Sequence, residues 1–196
     1  FVSRQIGEAT AKGHDVLVAS LTKAAARELA GRDLPIDPRR VGTLHSHAFR
    51  ALGSPEIAEV HAQEWSEAHP VYRVAAAGWG GRLDEATSWG GEHGDEGEAR
   101  LLSYSRLRAL KVPRDRWEAS DLRFAERWED WKRETGYLDF EDLIEVAARD
   151  VRRAPGNPEL IYCDESQDLS RSEMALLLKW GAAEGTDGLV IVGDFD

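Results

Sequence analysis

The chain has 196 residues, 42% of them hydrophobic and 31% charged, with a formal net charge of −11. That length supports one good core, or one core with a smaller inserted subdomain. No run approaches the roughly 18 apolar residues a membrane-spanning helix needs, so no membrane partner is expected. The negative balance argues against a general nucleic-acid coat protein, although a local groove on an acidic protein can still hold DNA.

The first dozen residues mix Arg4, Glu8 and Lys12 with small residues and carry no secretory signal pattern. Cys163 is the sole cysteine, so an intrachain disulfide is impossible and a reducing cytoplasm is the expected setting. Residues 5–12 read as the tail of a helix closed by Gly13. The apolar run Val16-Leu17-Val18-Ala19 predicts a strand buried on both faces. Thr22 can cap a helix over 23–30, and a short strand near Val41 leads through Thr43-Leu44-His45-Ser46 into a helix ending at Leu52.

The middle, 54–133, differs in character and holds six of the seven tryptophans. Residues 90–97, rich in glycine and acid, read as an exposed loop. Helices are expected over 101–110 and 121–135. Trp128 and Trp131, beside Phe124, are expected to form the insert's own core. Arg106, Arg108, Lys111 and Arg114 form a basic stretch with two equal readings, a nucleic-acid contact or a solvated face paired with nearby acids.

The alternation then resumes. Asp139 can cap a helix over 140–152, residues 155–158 form a turn, and Leu160-Ile161-Tyr162-Cys163 is a buried strand. A helix over 172–180 and a strand over 189–192 follow. Strands alternating with helices predict an α/β fold with a parallel sheet. Domain bounds of 1–53 with 136–196, and 54–135 for the helical insert, follow from this pattern. The chain opens on Phe1 and stops at Asp196, just past a strand, and is therefore expected to be a fragment.

The strongest chemical signal is Asp164-Glu165-Ser166-Gln167-Asp168 directly after that strand. Two acids at the C-terminal edge of a parallel sheet lie where open α/β folds bind ligands. In nucleotide hydrolysis such a pair divides its labour, one acid on Mg²⁺ and the other orienting water. For an isolated pair, capping of the next helix is an equally good reading; Gln167 and Asp168 lower its weight sharply.

Asp-Glu-x-Gln-Asp after a strand resembles motif II of the UvrD/Rep superfamily 1 DNA helicases. Four more segments resemble that family, in its order: 20–29 (motif Ia), 41–46 (the next DNA-contacting motif), 137–144 (Asp-Phe-x-Asp-Leu) and 190–194 (the start of motif III). The resemblance covers both flanks, while 54–135 occupies the place of the family's helical insert.

It implies a RecA-like P-loop NTPase sheet in a motor that binds ATP and Mg²⁺ and moves on single-stranded or partly duplex DNA, with 3′-to-5′ polarity. Asp164 would hold the metal, Glu165 and Gln167 would be catalytic, and Asp194 would line the nucleotide edge. Thr22, Lys23, Thr43, His45 and Ser46 would contact DNA. His47 receives no such role.

Three departures stand against the family pattern. The Gly-Lys-Thr loop that cradles phosphates does not occur in these residues, its expected place being immediately before Phe1, so the chain alone is expected to be inactive. Leu21 and Leu44 stand where the family favours aromatics, which implies a weaker base-stacking platform. Lys23-Ala24 stands where it has Asn-Lys. Two alternatives remain open, the motor subunit of a RecB/AddA-like helicase–nuclease and a non-catalytic degenerate motor domain.

Overall fold

The strand-forming runs are apolar on both faces, and the computed structural model shows why. It describes residues 2–20, 36–76 and 96–193. Strands β1 (Val16–Ser20), β2 (Val41–Thr43), β3 (Leu160–Asp164) and β4 (Gly188–Ile191) form one all-parallel sheet in the order β2-β1-β3-β4. Every residue of β1 is buried. Parallel pairing demands long crossovers, and among the described residues the helix Arg171–Gly181 lies in the one from β3 to β4. Seven α-helices lie among the described residues: α1 (Val2–Ala11), α2 (Leu44–Ala51), α3 (Ala62–Ala68), α4 (Glu96–Ala109), α5 (Ala119–Thr135), α6 (Phe140–Asp150) and α7 (Arg171–Gly181). Among the described residues no helix is long and apolar enough to cross a membrane.

The chain divides into two compact units, Phe1–Ser54 with Ile144–Asp196, and Pro55–Leu143. In the sheet unit, Val2, Ile6 and Ala9 of α1 pack with Val16, Val18 and Tyr162. Gly13, at φ +87°, ends α1 in the left-handed conformation that glycine adopts without steric penalty. Helix α7 starts with a capping box: the Ser170 hydroxyl accepts the Glu173 N–H, and the Glu173 carboxylate accepts the Ser170 N–H.

The helical unit has an aromatic core. Trp65, Tyr104, Phe124 and Trp128 are fully buried, and the Trp65 and Trp128 rings meet edge to face with centroids 5.0 Å apart. Trp131 belongs to the same core, as its spacing from Phe124 and Trp128 implies. Trp79 and Trp89 lie outside the described residues.

One expectation changes, and one segment is grouped differently by contact. Glu96 and Gly97, read as the end of a loop, open α4; a side chain at Gly97 would overlap the backbone carbonyls of Tyr72 and Arg73, so close approach and not flexibility requires this glycine. Residues 136–143, placed with the sheet from sequence, group with the helical unit. Leu138 exchanges backbone hydrogen bonds with Glu56 and Ala58, Tyr137 packs against the aromatic core, and a buried ion cluster lies beside them. Asp139, 1% exposed, accepts hydrogen bonds from Lys132 Nζ (2.5 Å), Arg108 Nη1 (3.1 Å) and Trp128 Nε1 (3.1 Å). Arg108 and Lys132 also pair with Asp142. Two cations and two carboxylates thus compensate each other inside the unit, and breaking such a set by removing one member is far costlier than its net contribution. The helix over 23–30 lies outside the described residues.

Candidate functional site

The ends of three strands align in one row. Ser20 of β1 is the register partner of Thr43 on β2 and of Asp164 on β3, so these residues share the C-terminal edge of the sheet. Thr22, Lys23 and Asp194 lie outside the described residues.

Asp164 ends β3 half-buried, and the chain then turns abruptly. Glu165 sits at φ 55°, ψ 40°, the left-handed region, which costs a residue with a Cβ roughly 1–2 kcal/mol. The turn is fastened from behind: Val192 N–H donates to Cys163 O (2.8 Å) and Ser166 N–H donates to Val192 O (3.0 Å). Gly193 backs onto the same turn, and a Cβ there would overlap Gln167 Oε1 and crowd Ser166 Oγ. Strain at an exposed acid, held by its neighbours, is a pattern found at working sites more than at plain helix caps.

The Glu165 side chain is exposed, and Gln167 Nε2 donates to its Oε2 at 2.6 Å and to Asp168 Oδ2 at 3.4 Å. Among the described residues neither Asp164 nor Glu165 is engaged in an ion pair. Two buried hydroxyls nearby, Ser20 Oγ and Ser166 Oγ, have no hydrogen-bond partner among the described residues. Buried polar atoms are normally satisfied, so these two mark polar capacity waiting at the edge. The thiol of Cys163, one residue from Asp164, is no nucleophile: burial first, then the Asp164 charge, pushes it up to about 12.

The second group lies at the start of α2. Thr43 caps this helix, its Oγ1 accepting the Ser46 N–H at 3.1 Å, while Ser46 Oγ donates to Thr43 O at 2.8 Å. His45 Nδ1 lies 3.3 Å from Glu173 Oε1, and the two side chains are 15% and 10% exposed. Burial alone would raise the Glu173 carboxyl, but the His45 contact and the Ser170 N–H outweigh it and hold Glu173 below the usual range. Thr43, His45 and Ser46 therefore each have internal partners. Glu173 was legible only as the end of a Ser-x-x-Glu capping pattern; its contact with His45 joins residues 128 apart and leaves no local signal.

His47 is the core histidine of this helix. Its Nε2 donates to Val18 O (3.0 Å), and Nδ1 accepts from Arg50 Nη2 (2.7 Å), which requires the neutral ring. Burial, with Arg50 and Arg40 adding repulsion, lowers its pKa to about 4.

Two of the four cations in the basic stretch of the helical unit are engaged in internal pairs. Arg108 binds Asp139 and Asp142, and Arg114 pairs with Glu129 while lying over the Trp117 ring. Arg106 and Lys111 are exposed. Compared with known proteins, the sequence matches no family model and no protein of curated function.

Proposed function

We propose that this chain is part of the RecA-like motor domain of an ATP-dependent DNA translocase or helicase of superfamily 1. The observation that carries the reading is the pair Asp164-Glu165 at the C-terminal tip of β3, one of the two interior strands of an all-parallel sheet. Ligands of open α/β sheets bind along that edge. The strained Glu165 backbone, the close approach of Gly193 and the unpartnered Ser20 and Ser166 hydroxyls add independent support.

A carboxylate oxygen such as that of Asp164, at the sheet edge in register with Ser20, is the ligand type a hard divalent cation takes. Asp164 would hold Mg²⁺, the family resemblance assigns Asp194 to the nucleotide, and the ion would neutralise phosphate charge during transfer. The loop that would cradle the triphosphate is not among these 196 residues. Glu165 is exposed toward incoming water and would act as the base; Gln167, bonded to its Oε2, orients the carboxylate and leaves Oε1 to accept a proton. Thr22, Lys23, Thr43, His45 and Ser46 form the proposed DNA path, reached only if phosphates displace the present partners of Thr43, His45 and Ser46.

The test is single-stranded-DNA-stimulated ATP hydrolysis by the full-length gene product. Glu165→Gln should lower turnover by about two or more orders of magnitude while nucleotide binding stays within a few-fold. Unchanged turnover refutes the assignment, and so does ATPase activity from residues 1–196 alone.

A further inference from the structure

The opposite edge of the sheet carries a second cluster, unrelated to the acids at the strand tips. His14, Glu159 and Asp187 each stand just before a strand, β1, β3 and β4 respectively. These strands are neighbours, with Val16 facing Leu160 and Leu160 facing Gly188 in register. One nitrogen and two carboxylate oxygens from the three residues all lie within 4.8 Å of one another. From Glu159 to Asp164 the strand rises about 3.3 Å per residue, roughly 16 Å in all, so this cluster cannot share chemistry with Asp164.

We propose that His14, Glu159 and Asp187 bind a first-row divalent transition-metal ion, Zn²⁺ foremost, which clamps the entries of three adjacent strands. The donor set of one imidazole and two carboxylates suits Zn²⁺, Mn²⁺ or Co²⁺ better than Mg²⁺, which favours oxygen alone. Two carboxylates also match the ion's double charge.

The site is largely built. His14 Nδ1 already lies 3.2 Å from Glu159 Oε2, against roughly 3.4 Å between ligand atoms around a tetrahedral ion with bonds of about 2.1 Å. Asp187, exposed at its strand entry, offers a carboxylate oxygen within 4.8 Å of both other ligand atoms. The backbone beneath is fixed: Glu159 N–H and Leu160 N–H donate to Asp15 O, and Asp187 N–H donates to Glu159 O at 2.7 Å. Asp15 N–H donates to Glu159 Oε2 at 3.1 Å and orients that carboxylate, as outer-shell donors do at metal sites. The Asp15 side chain is held by Arg40 and does not compete for the ion. Three protein ligands leave positions for water.

The chain, freed of metal by a chelator, should be titrated with zinc chloride by calorimetry and with cobalt chloride by visible absorption. One equivalent should bind, cobalt should show tetrahedral d–d bands, and excess Mg²⁺ should not compete. His14→Ala and Asp187→Ala should each weaken binding at least about tenfold. Saturating zinc should raise the melting temperature of the wild type by roughly 5–10 °C and leave that of Asp187→Ala unchanged. Circular dichroism before metal addition confirms that each variant is folded. Absence of saturable binding at millimolar zinc overturns the proposal. Binding unaltered in both variants also overturns it, by placing the ion elsewhere, and effective competition by Mg²⁺ overturns the assigned ion class.

Discussion

Replacing Glu59 by Gln tests the electrostatics of the helical unit. Glu59 is 3% exposed, its Oε1 accepts the Phe140 N–H at 3.2 Å, and its Oε2 is buried with no partner among the described residues. Burial, reinforced by the Asp139 charge, pushes its pKa from 4.5 up to about 8. The folded protein therefore keeps a proton at pH 7 that the unfolded chain releases. Because the folded pKa is the raised one, this group's contribution is fully present below pH 4.5, falls as pH rises, and levels off above about 8. Each pKa unit corresponds to about 1.4 kcal/mol, so wild type forgoes roughly 3 kcal/mol at pH 7 relative to pH 4.5. Gln cannot ionise and escapes that loss. Any difference in fit between amide and carboxyl is independent of pH, and the other titrating groups are common to both proteins. The stability difference, variant minus wild type, should grow by roughly 3 kcal/mol between pH 4.5 and 7.5. Urea unfolding followed by tryptophan fluorescence reads it, since Trp65, Trp117, Trp128 and Trp131 share this unit's core. With a slope near 1 kcal/mol per molar urea for a unit of this size, the midpoints should diverge by about 2 M or more. A difference constant across the pH range would refute the reasoning, and Glu59 would then be ionised or solvated in the fold.

The remaining predictions concern both units. His47, with its pKa lowered from 6.5 to about 4, resists protonation in the fold, so its contribution is present above pH 6.5 and is lost progressively toward pH 4, by roughly 3 kcal/mol; an NMR titration showing His47 protonating near 6.5 would refute this. Gly7 and Gly97, both in helices, should respond oppositely to alanine. Gly7→Ala meets no atom within 4 Å and should stabilise by about 0.5–1 kcal/mol, whereas Gly97→Ala collides with the Tyr72 and Arg73 carbonyls and should destabilise by roughly 1–3 kcal/mol. Thermal melts that moved in the same direction would sink that contrast.

Local chemistry made much of this protein legible from its residues alone. An apolar run such as 160–163 reads as a strand buried on both faces, Thr43 and Asp139 announce helix starts, and the spacing of Phe124, Trp128 and Trp131 defines one helix face. The acids after β3 could be placed at the sheet's C-terminal edge because a parallel strand fixes which end carries the ligand-binding loops. Tertiary structure decided what depends on contacts between distant residues. Residues 136–143 continue into a helix of the sheet unit, yet Leu138 pairs with Glu56 and Ala58 and Asp139 pairs with Arg108 and Lys132, contacts no local pattern contains. The motif separates His45 from His47, but only the fold sets the first against Glu173 and the second beneath Val18. The alignment of Thr43, Ser20 and Asp164, and of His14 with Glu159 and Asp187, comes from strand register, which a one-dimensional pattern does not contain because each pairing joins strands far apart in the chain.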